Sequence, residues 1–180
     1  MSREYAPAWR LWLATAARLV LGGVLIVAGW LKLPDPAASV RAVRAYQLLP
    51  ESVVPSVGHG LPLLEIVVGV LLVVGFATRF AAAVGGLLML AFIIGISSAW
   101  ARGLTIDCGC FGGGGSVAAN QTKYLQEILR DTGLLLAAAF LVVWPGSRLS
   151  LDPTPPTRPA PAPASDSTAS TSLTEKETRP

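Results

Sequence analysis

Residues 80–101 have the sequence FAAAVGGLLMLAFIIGISSAWA, and none of these side chains carries a charge. A helix needs about 20 predominantly apolar residues to cross the hydrocarbon core of a bilayer, and this stretch is long enough. The composition agrees, because 52% of the 180 residues are hydrophobic and only 14% are charged. Average soluble domains carry roughly 25% charged residues. The sequence therefore predicts a protein whose solvent is the lipid bilayer.

Two apolar segments precede this stretch and predict two further spans. The first covers residues 11–31 and is interrupted by Arg18, and the second covers residues 61–77 and contains Glu65. Only residues 78–79 separate the second span from the uncharged stretch. We therefore expect these two helices to form a tight antiparallel hairpin.

A fourth apolar segment follows, and its length is the weakest of the four. Its uncharged part covers only residues 132–144, which is short for a membrane helix. It becomes long enough if the helix starts near Gln121 and carries charged residues inward, namely Glu127, Arg130 and Asp131. We predict an all-α fold, a polytopic bundle of four transmembrane helices.

The remaining segments differ from these spans in composition. Residues 38–50 have helical spacing with Arg41 and Arg44 on one side, which predicts an amphipathic helix at the membrane interface. Residues 146–180 are rich in Pro, Ala, Ser and Thr and bury too little apolar surface to fold, so we expect a disordered tail. Residues 1–10 form a short N-terminal segment, which we assign to the cytoplasm.

The loop after the uncharged stretch holds the only two cysteines, in the sequence DCGCFG at residues 107–112. A disulfide between Cys108 and Cys110 closes a small ring, in which normal disulfide geometry is hard to satisfy. Gly109 relieves part of this strain, because glycine accepts backbone angles that other residues avoid. A strained disulfide is more oxidising, which suits a catalyst that passes its disulfide on. We predict that these two cysteines are catalytic.

Neighbouring charges influence the reactivity of these thiols in opposite directions. The adjacent Asp107 disfavours a thiolate, whereas Lys32, Arg102 or the start of the following helix would favour one. Two other interpretations remain open. The cysteines are inert loop residues, or they bind a soft metal. Two thiolates supply only half of a tetrahedral zinc site and His59 is the only histidine, so we assign no metal ligands.

Ionisable residues at membrane depth are costly and are usually paired or functional. Lys32 ends the first span on the side where Glu65 begins the second, so these two side chains can pair near the cysteine loop. Arg18, Arg130 and Asp131 complete the set of such residues. One interpretation is that the charges only lock the helices together. The other is that Glu65, with Arg130 or Asp131, exchanges protons when thiols are oxidised.

Several motifs occur in order along residues 11–145. They are Arg18, GWLKL at residues 29–33 with DP at 35–36, YQLLP at 46–50, LPLLE at 61–65, DCGCFG at 107–112, and Arg130 with Asp131. This order resembles the MauE family of methylamine-utilisation membrane proteins, part of the wider DoxX-like group. The resemblance implies a four-helix protein of the bacterial plasma membrane. It also implies a role in maturing a disulfide-rich exported dehydrogenase subunit beside a thioredoxin-like partner.

Three functional classes follow from these observations. The first is a membrane thiol–disulfide relay that acts on exported thiol-containing proteins, with a quinone as the electron acceptor by analogy with other four-helix thiol oxidases. The second is a non-catalytic scaffold for a redox partner, and the third is a soft-metal-handling protein. Nucleic acid is excluded as a partner, because the net charge of +3 is scattered and forms no basic face.

The orientation in the membrane follows from two arguments that disagree. An even number of spans places both termini on one side, and the count of Lys and Arg leans weakly against a cytoplasmic location for them. A disulfide-cycling cysteine pair, in contrast, belongs on the oxidising, extracytoplasmic side. We follow the second argument and predict cytoplasmic termini with the Cys-Gly-Cys loop outside.

Overall fold

The computed structural model of the chain describes residues 8–109, 113–118 and 122–144. Over these residues the chain forms five helices and two short strands. They are α1 (Ala8–Lys32), α2 (Pro36–Ala45), α3 (Val54–Val74), α4 (Thr78–Ala101), β1 (Ile106–Asp107), β2 (Gly115–Ser116) and α5 (Tyr124–Val143). The predicted tail at 146–180, most of the N-terminal segment, and Cys110 lie outside the described residues. The fold is mostly helical, as predicted, and adds one small antiparallel sheet of two two-residue strands.

Three of the described helices, α1, α3 and α4, are long and apolar enough to cross a bilayer. The second predicted span was placed too late, because α3 starts at Val54 rather than at residue 61. Pro55 lies in the first turn, where a missing N–H costs nothing. The helix ends at Gly75, whose φ of 75° stops it in the left-handed conformation. The predicted link at 78–79 is therefore wrong, since residues 75–77 make the connection.

Helices α1 and α3 approach each other closely because glycines line their contact. A Cβ atom on Gly22 would lie 2.8 Å from the carbonyl oxygen of Gly69, and one on Gly29 would lie 2.6 Å from that of Pro62. Small residues of this kind let membrane helices pack backbone to backbone. The close contact at Gly29 holds the end of α1 against the part of α3 that carries Glu65.

Helix α5 packs mainly on α4, as α1 packs on α3. The two pairs share a core of buried apolar side chains from all four helices, which includes Leu21, Leu25, Leu72, Ala82, Met89, Leu134 and Leu141. The predicted fourth apolar segment is thus a helix. With three ionisable residues in its first half, it is not among the three helices that length and composition alone identify as spans.

The predicted amphipathic helix is present as α2, although it ends at Ala45 rather than at residue 50. Asp35 caps it, because its Oδ1 accepts a hydrogen bond from the Ala38 backbone N–H at 2.9 Å. That bond, followed by the contact with Arg41, lowers the pKa of Asp35 below its ordinary value. Helix α2 lies over α3 and contacts both strands, so it covers the segment that leads to Cys108.

Candidate functional site

Cys108 follows β1 directly and is buried beneath α2, with 8% of its surface exposed. The hydroxyl of Tyr46 donates a hydrogen bond to the Cys108 carbonyl oxygen at 3.2 Å. The ring of Tyr46 rests on Gly95 of α4, where an added Cβ would lie 3.3 Å from it. Tyr46 therefore ties the cysteine backbone to the helical bundle.

Gly109 gives the turn after Cys108 its shape. Its φ of +70° lies in the left-handed region that other residues rarely adopt, and an added Cβ would lie 2.8 Å from the Cβ of Ala42. Gly114 comes even closer to the same alanine. The antiparallel pairing of β1 with β2 joins Ile106 to Ser116 and Asp107 to Gly115. Gly109 and Gly114 therefore let the two paired strands pack closely against α2.

The first turn of α5 is fixed to this hairpin through Tyr124. Its hydroxyl accepts a hydrogen bond from the Ile106 backbone N–H at 2.9 Å and donates one to the Leu104 carbonyl at 2.5 Å. Glu127 lies one turn further along α5, on a neighbouring position of the same helix surface. These two hydrogen bonds join α5 to β1 and to Leu104, and they thereby fix the position of Glu127 relative to Cys108.

The Cys108 thiol hydrogen-bonds the carboxylate of Glu127. Potential ligand atoms of Asp107, Cys108 and Glu127 all lie within 4.8 Å of one another, and we call these three residues the thiol cluster. Oε2 of Glu127 is buried and has no hydrogen-bond partner among the described residues. The cluster thus places a thiol beside a carboxylate with spare acceptor capacity.

The contact of Glu127 with the Cys108 thiol was not predicted from the sequence, in which Glu127 is only a charge that the fourth helix carries inward. A signal was available in the spacing. Glu127 and Asp131 are four residues apart, so a helix that faces one toward the bundle faces the other in the same direction.

Lys32 and Glu65 form the predicted ion pair, with Nζ 2.6 and 2.7 Å from the two carboxylate oxygens. Both side chains are buried, at 5% and 0% exposure. The Lys32 ammonium also lies 5.6 Å from the centre of the Phe92 ring, a cation–π contact. The pair lies at the cysteine-loop end of the bundle, because Lys32 is the last residue of α1.

Arg130 and Asp131 form a second pair within α5, with Arg130 Nε 2.9 Å from Oδ1 of Asp131. Oδ2 of Asp131 is buried without a hydrogen-bond partner among the described residues. Both residues line a cavity of about 10 Å³ together with Glu65. The structure therefore brings three of the predicted ionisable residues to one small cavity. Arg18, also predicted, is buried in α1.

The sequence that forms these helices and this site matches one known family. The family model described as methylamine utilisation protein MauE matches residues 10–144. The chain belongs to the MauE family. No curated protein and no solved structure gives a significant match to it. The resemblance over residues 11–145 is thus confirmed, and the protein is a MauE-family membrane protein whose described part contains three apolar helices of spanning length.

The sequence suggested the two cysteines and His59 as possible metal ligands, whereas the structure groups Cys108 with two carboxylates. His59 lies inside α3, and its Nδ1 is 2.7 Å from the Pro55 carbonyl oxygen. Within the described residues, the thiol cluster is the group that could hold an ion, with one sulfur and two carboxylates. Cys110, the other candidate thiolate, lies outside these residues.

Proposed function

We propose that this protein is a membrane thiol–disulfide relay, in which Cys108 and Cys110 exchange a disulfide with a thioredoxin-like partner that serves exported proteins. The observation that carries the proposal is the hydrogen bond between the Cys108 thiol and the Glu127 carboxylate. A thiol must lose its proton before it can form a disulfide, and an adjacent carboxylate is a suitable proton acceptor.

The exchange balances as follows. A thiolate of the partner attacks the Cys108–Cys110 disulfide, and a mixed disulfide replaces the original S–S bond. The second thiolate of the partner then breaks the mixed disulfide, so that the partner is oxidised. Cys108 and Cys110 gain two electrons and two protons in total. Glu127 is the group that supplies or removes the proton at Cys108.

Protons need a route away from the thiol cluster, and α5 offers one. Glu127 and Asp131 are one turn apart on the inward side of the helix. Asp131 shares the small cavity with Arg130 and Glu65, and a volume of about 10 Å³ is close to that needed for one water molecule. We propose that protons pass from Glu127 toward Glu65 along these groups.

We further propose that α5 is the fourth span. Its 20 residues rise about 30 Å, the thickness of the hydrocarbon core. One side of α5 packs on α4, and the other exposes large apolar side chains, namely Leu125, Leu129, Leu136 and Val143. Four spans in a bacterial plasma membrane put both termini on one side. We place them in the cytoplasm and the thiol cluster outside.

Cysteine substitution tests the relay against a scaffold. Cys108→Ser and Cys110→Ser variants are produced in a strain that lacks the native gene, and maturation of the dependent exported protein is measured. The relay predicts loss of maturation in both variants at unchanged protein level. A scaffold retains maturation in both, because its docking surface does not need the sulfur atoms.

Metal handling is the second candidate function, and the 4.8 Å spacing of the thiol cluster is the observation that favours it. Elemental analysis of the purified protein decides between the two. A metal bound in stoichiometric amount that disappears in Glu127→Gln would favour metal handling. The relay predicts no stoichiometric metal in either protein.

A further inference from the structure

An apolar cavity of about 250 Å³ lies between α2, α4 and the turn after Cys108. Its walls are mostly aliphatic and aromatic, with contributions from Leu61, Leu88 and Phe92. Cys108 and Gly109 form part of the wall, so the redox-active loop borders the cavity directly. The exposed side chains of Leu48 and Leu49 also line it, which shows that the cavity reaches the surface of the protein.

Two polar groups interrupt this apolar lining. Ser39 is 8% exposed, and its Oγ has no hydrogen-bond partner among the described residues. A buried hydroxyl without a partner is costly and calls for a ligand or a water molecule. Lys32 is the second polar group. An ammonium has three N–H donors, and the two bonds to Glu65 leave one of them.

We infer that this cavity binds a quinone, which accepts the electrons of the Cys108–Cys110 pair. The inference rests on the proposed function and names the oxidant that restores its disulfide. A quinone is an apolar ring with carbonyl acceptors, which matches apolar walls with two hydrogen-bond donors. The cavity is at the small end of ligand pockets, which span about 300–1,000 Å³, so it holds a substituted ring while an apolar tail extends past Leu48 and Leu49.

The reaction at this site balances in electrons and protons. The two cysteine thiols lose two protons and two electrons, and one S–S bond forms between them. The quinone takes up the two electrons and two protons, and its carbonyl oxygens become the hydroxyls of a quinol. A hydrogen bond from Ser39 or Lys32 to a carbonyl oxygen stabilises the negative charge that develops there during the transfer.

A lipid acyl chain is the competing occupant of an apolar cavity, and the polar groups argue against it. A hydrocarbon would leave the Ser39 hydroxyl without a partner and would place methylene groups beside the Lys32 ammonium. Cys108 lies in the cavity wall and would be next to a bound quinone, which its thiol can reduce. An acyl chain has no chemistry with a thiol.

Binding is measured with the full chain reconstituted in phosphatidylcholine nanodiscs and a short-tailed ubiquinone analogue. We expect saturable binding of one quinone per chain. Ala91→Trp, which fills the cavity from α4, should weaken binding at least tenfold. Leu87→Trp is the matched control on the same helix, since its side chain is exposed and lies outside the cavity, and it should stay within twofold. Ser39→Ala removes one neutral hydrogen bond and should weaken binding about three- to tenfold.

Reduction of the quinone is then followed under anaerobic conditions, with protein whose two cysteines are in the thiol form. One quinone should be reduced per cysteine pair, and the Ala91→Trp variant should slow this reaction in parallel with binding. The dimethyl ether of the corresponding quinol, which keeps the ring and tail but cannot be reduced, should compete with the quinone and accept no electrons. Binding that Ala91→Trp leaves unchanged, or a cavity that takes up fatty acid and excludes the quinone, would overturn the inference.

The Cys108→Ser/Cys110→Ser double variant separates this inference from the proposed function. It should still bind the quinone saturably and should reduce none of it. If the parent exchanges disulfides with its partner but binds no quinone, the inference fails and the relay stands. If the quinone binds but the cysteines never exchange a disulfide, the relay fails while the cavity remains a quinone site.

Discussion

Lys32 and Glu65 form a buried two-pronged ion pair at the end of the helical bundle nearest the cysteines, with Nζ 2.6 and 2.7 Å from the carboxylate oxygens. The pair is made possible by Gly29, whose missing side chain lets α1 lie against the Pro62 carbonyl. It connects two parts of the site, because Lys32 borders the apolar cavity and Glu65 borders the small cavity that Asp131 lines.

Breaking this pair from one side should destabilise the protein. Lys32→Met leaves the Glu65 carboxylate buried without its partner, which costs about 3–5 kcal/mol in comparable proteins. The double variant Lys32→Met/Glu65→Leu removes both charges and should recover most of this loss. Denaturant unfolding in detergent measures the free energy of unfolding of each variant.

Arg41→Met provides the matched control for the lysine substitution. Arg41 pairs with Asp35 at 3.1 Å, but more than half of each side chain is exposed. Exposed pairs contribute about 0–1 kcal/mol, so this variant should unfold almost as the parent does. Equal losses for Lys32→Met and Arg41→Met would contradict the structural role of the buried pair.

Glu127 should control how fast the cysteine pair is oxidised. Glu127→Gln keeps the shape of the side chain but removes the proton acceptor beside Cys108, and general bases contribute about 10²- to 10⁴-fold in enzymes. We expect the rate of Cys108–Cys110 disulfide formation to fall at least about tenfold near neutral pH. Stopped-flow measurement of thiol loss over a range of pH should show that the deficit shrinks as hydroxide replaces the carboxylate.

Asp107→Asn is the control for the effect of charge alone. It removes a carboxylate from the thiol cluster but keeps the oxygen that accepts from the Gly109 N–H at 3.4 Å. This variant should change the rate by less than about threefold. If Asp107→Asn and Glu127→Gln slow oxidation equally, Glu127 has no specific role as a proton acceptor.

The turn after Cys108 should tolerate no side chain at Gly109. Gly109→Ala combines a left-handed backbone with a Cβ 2.8 Å from that of Ala42. Gly103→Ala is the matched control, because its φ is +67° and an added Cβ meets nothing within 4 Å. The control should lose about 1–2 kcal/mol from the backbone alone, and Gly109→Ala should lose more.

A second substitution tests the cause of that difference. Ala42→Gly removes the atom that an alanine at position 109 would meet, so it should restore part of the stability of Gly109→Ala. The rate at which a small reagent alkylates Cys108 reports opening of the turn and should follow the same order. Identical behaviour of the variants at Gly103 and Gly109 would show that α2 does not constrain the turn.

A membrane span could be predicted accurately from the sequence where a long run of uncharged residues marks it. Residues 80–101 became α4 almost unchanged, because no charge interrupts them and only residues 75–77 separate this helix from α3. The start of α3 was missed, since Pro55 and His59 suggest a turn when they are considered alone. In the structure Pro55 occupies the first turn of the helix, where it is tolerated, and His59 bonds back to its carbonyl.

Individual residues of the candidate site could be predicted from the sequence, but most of the contacts between them could not. The spacing of Lys32 and Glu65 relative to their span ends is enough to suggest their pairing. The contacts of Tyr46 with Cys108 and Gly95 depend on where α2, lying over α3, delivers the residue that follows it, and no local pattern encodes that position. The bond from Cys108 to Glu127 similarly depends on the hairpin that brings two distant segments together.

The proposed relay requires the cysteines to lie on the outer face of the plasma membrane. A membrane-impermeant maleimide should therefore label the reduced cysteines in intact cells, after mild reduction and with partial accessibility because Cys108 is buried. A cysteine introduced at Arg79, in the first turn of α4 beside the α3–α4 connection, should be labelled only after the cells are opened. Labelling of the loop cysteines only in opened cells would contradict the proposed orientation.

The most direct test of the relay is capture of its partner through a single remaining cysteine. Cys108→Ser and Cys110→Ser variants are produced separately in cells, which are quenched with acid and alkylated before electrophoresis without reductant. We predict that at least one variant accumulates a mixed disulfide with a thioredoxin-like protein that reductant releases, and that the double variant forms none. If neither single-cysteine variant ever captures a thiol partner, Cys108 and Cys110 do not exchange disulfides and the account is wrong.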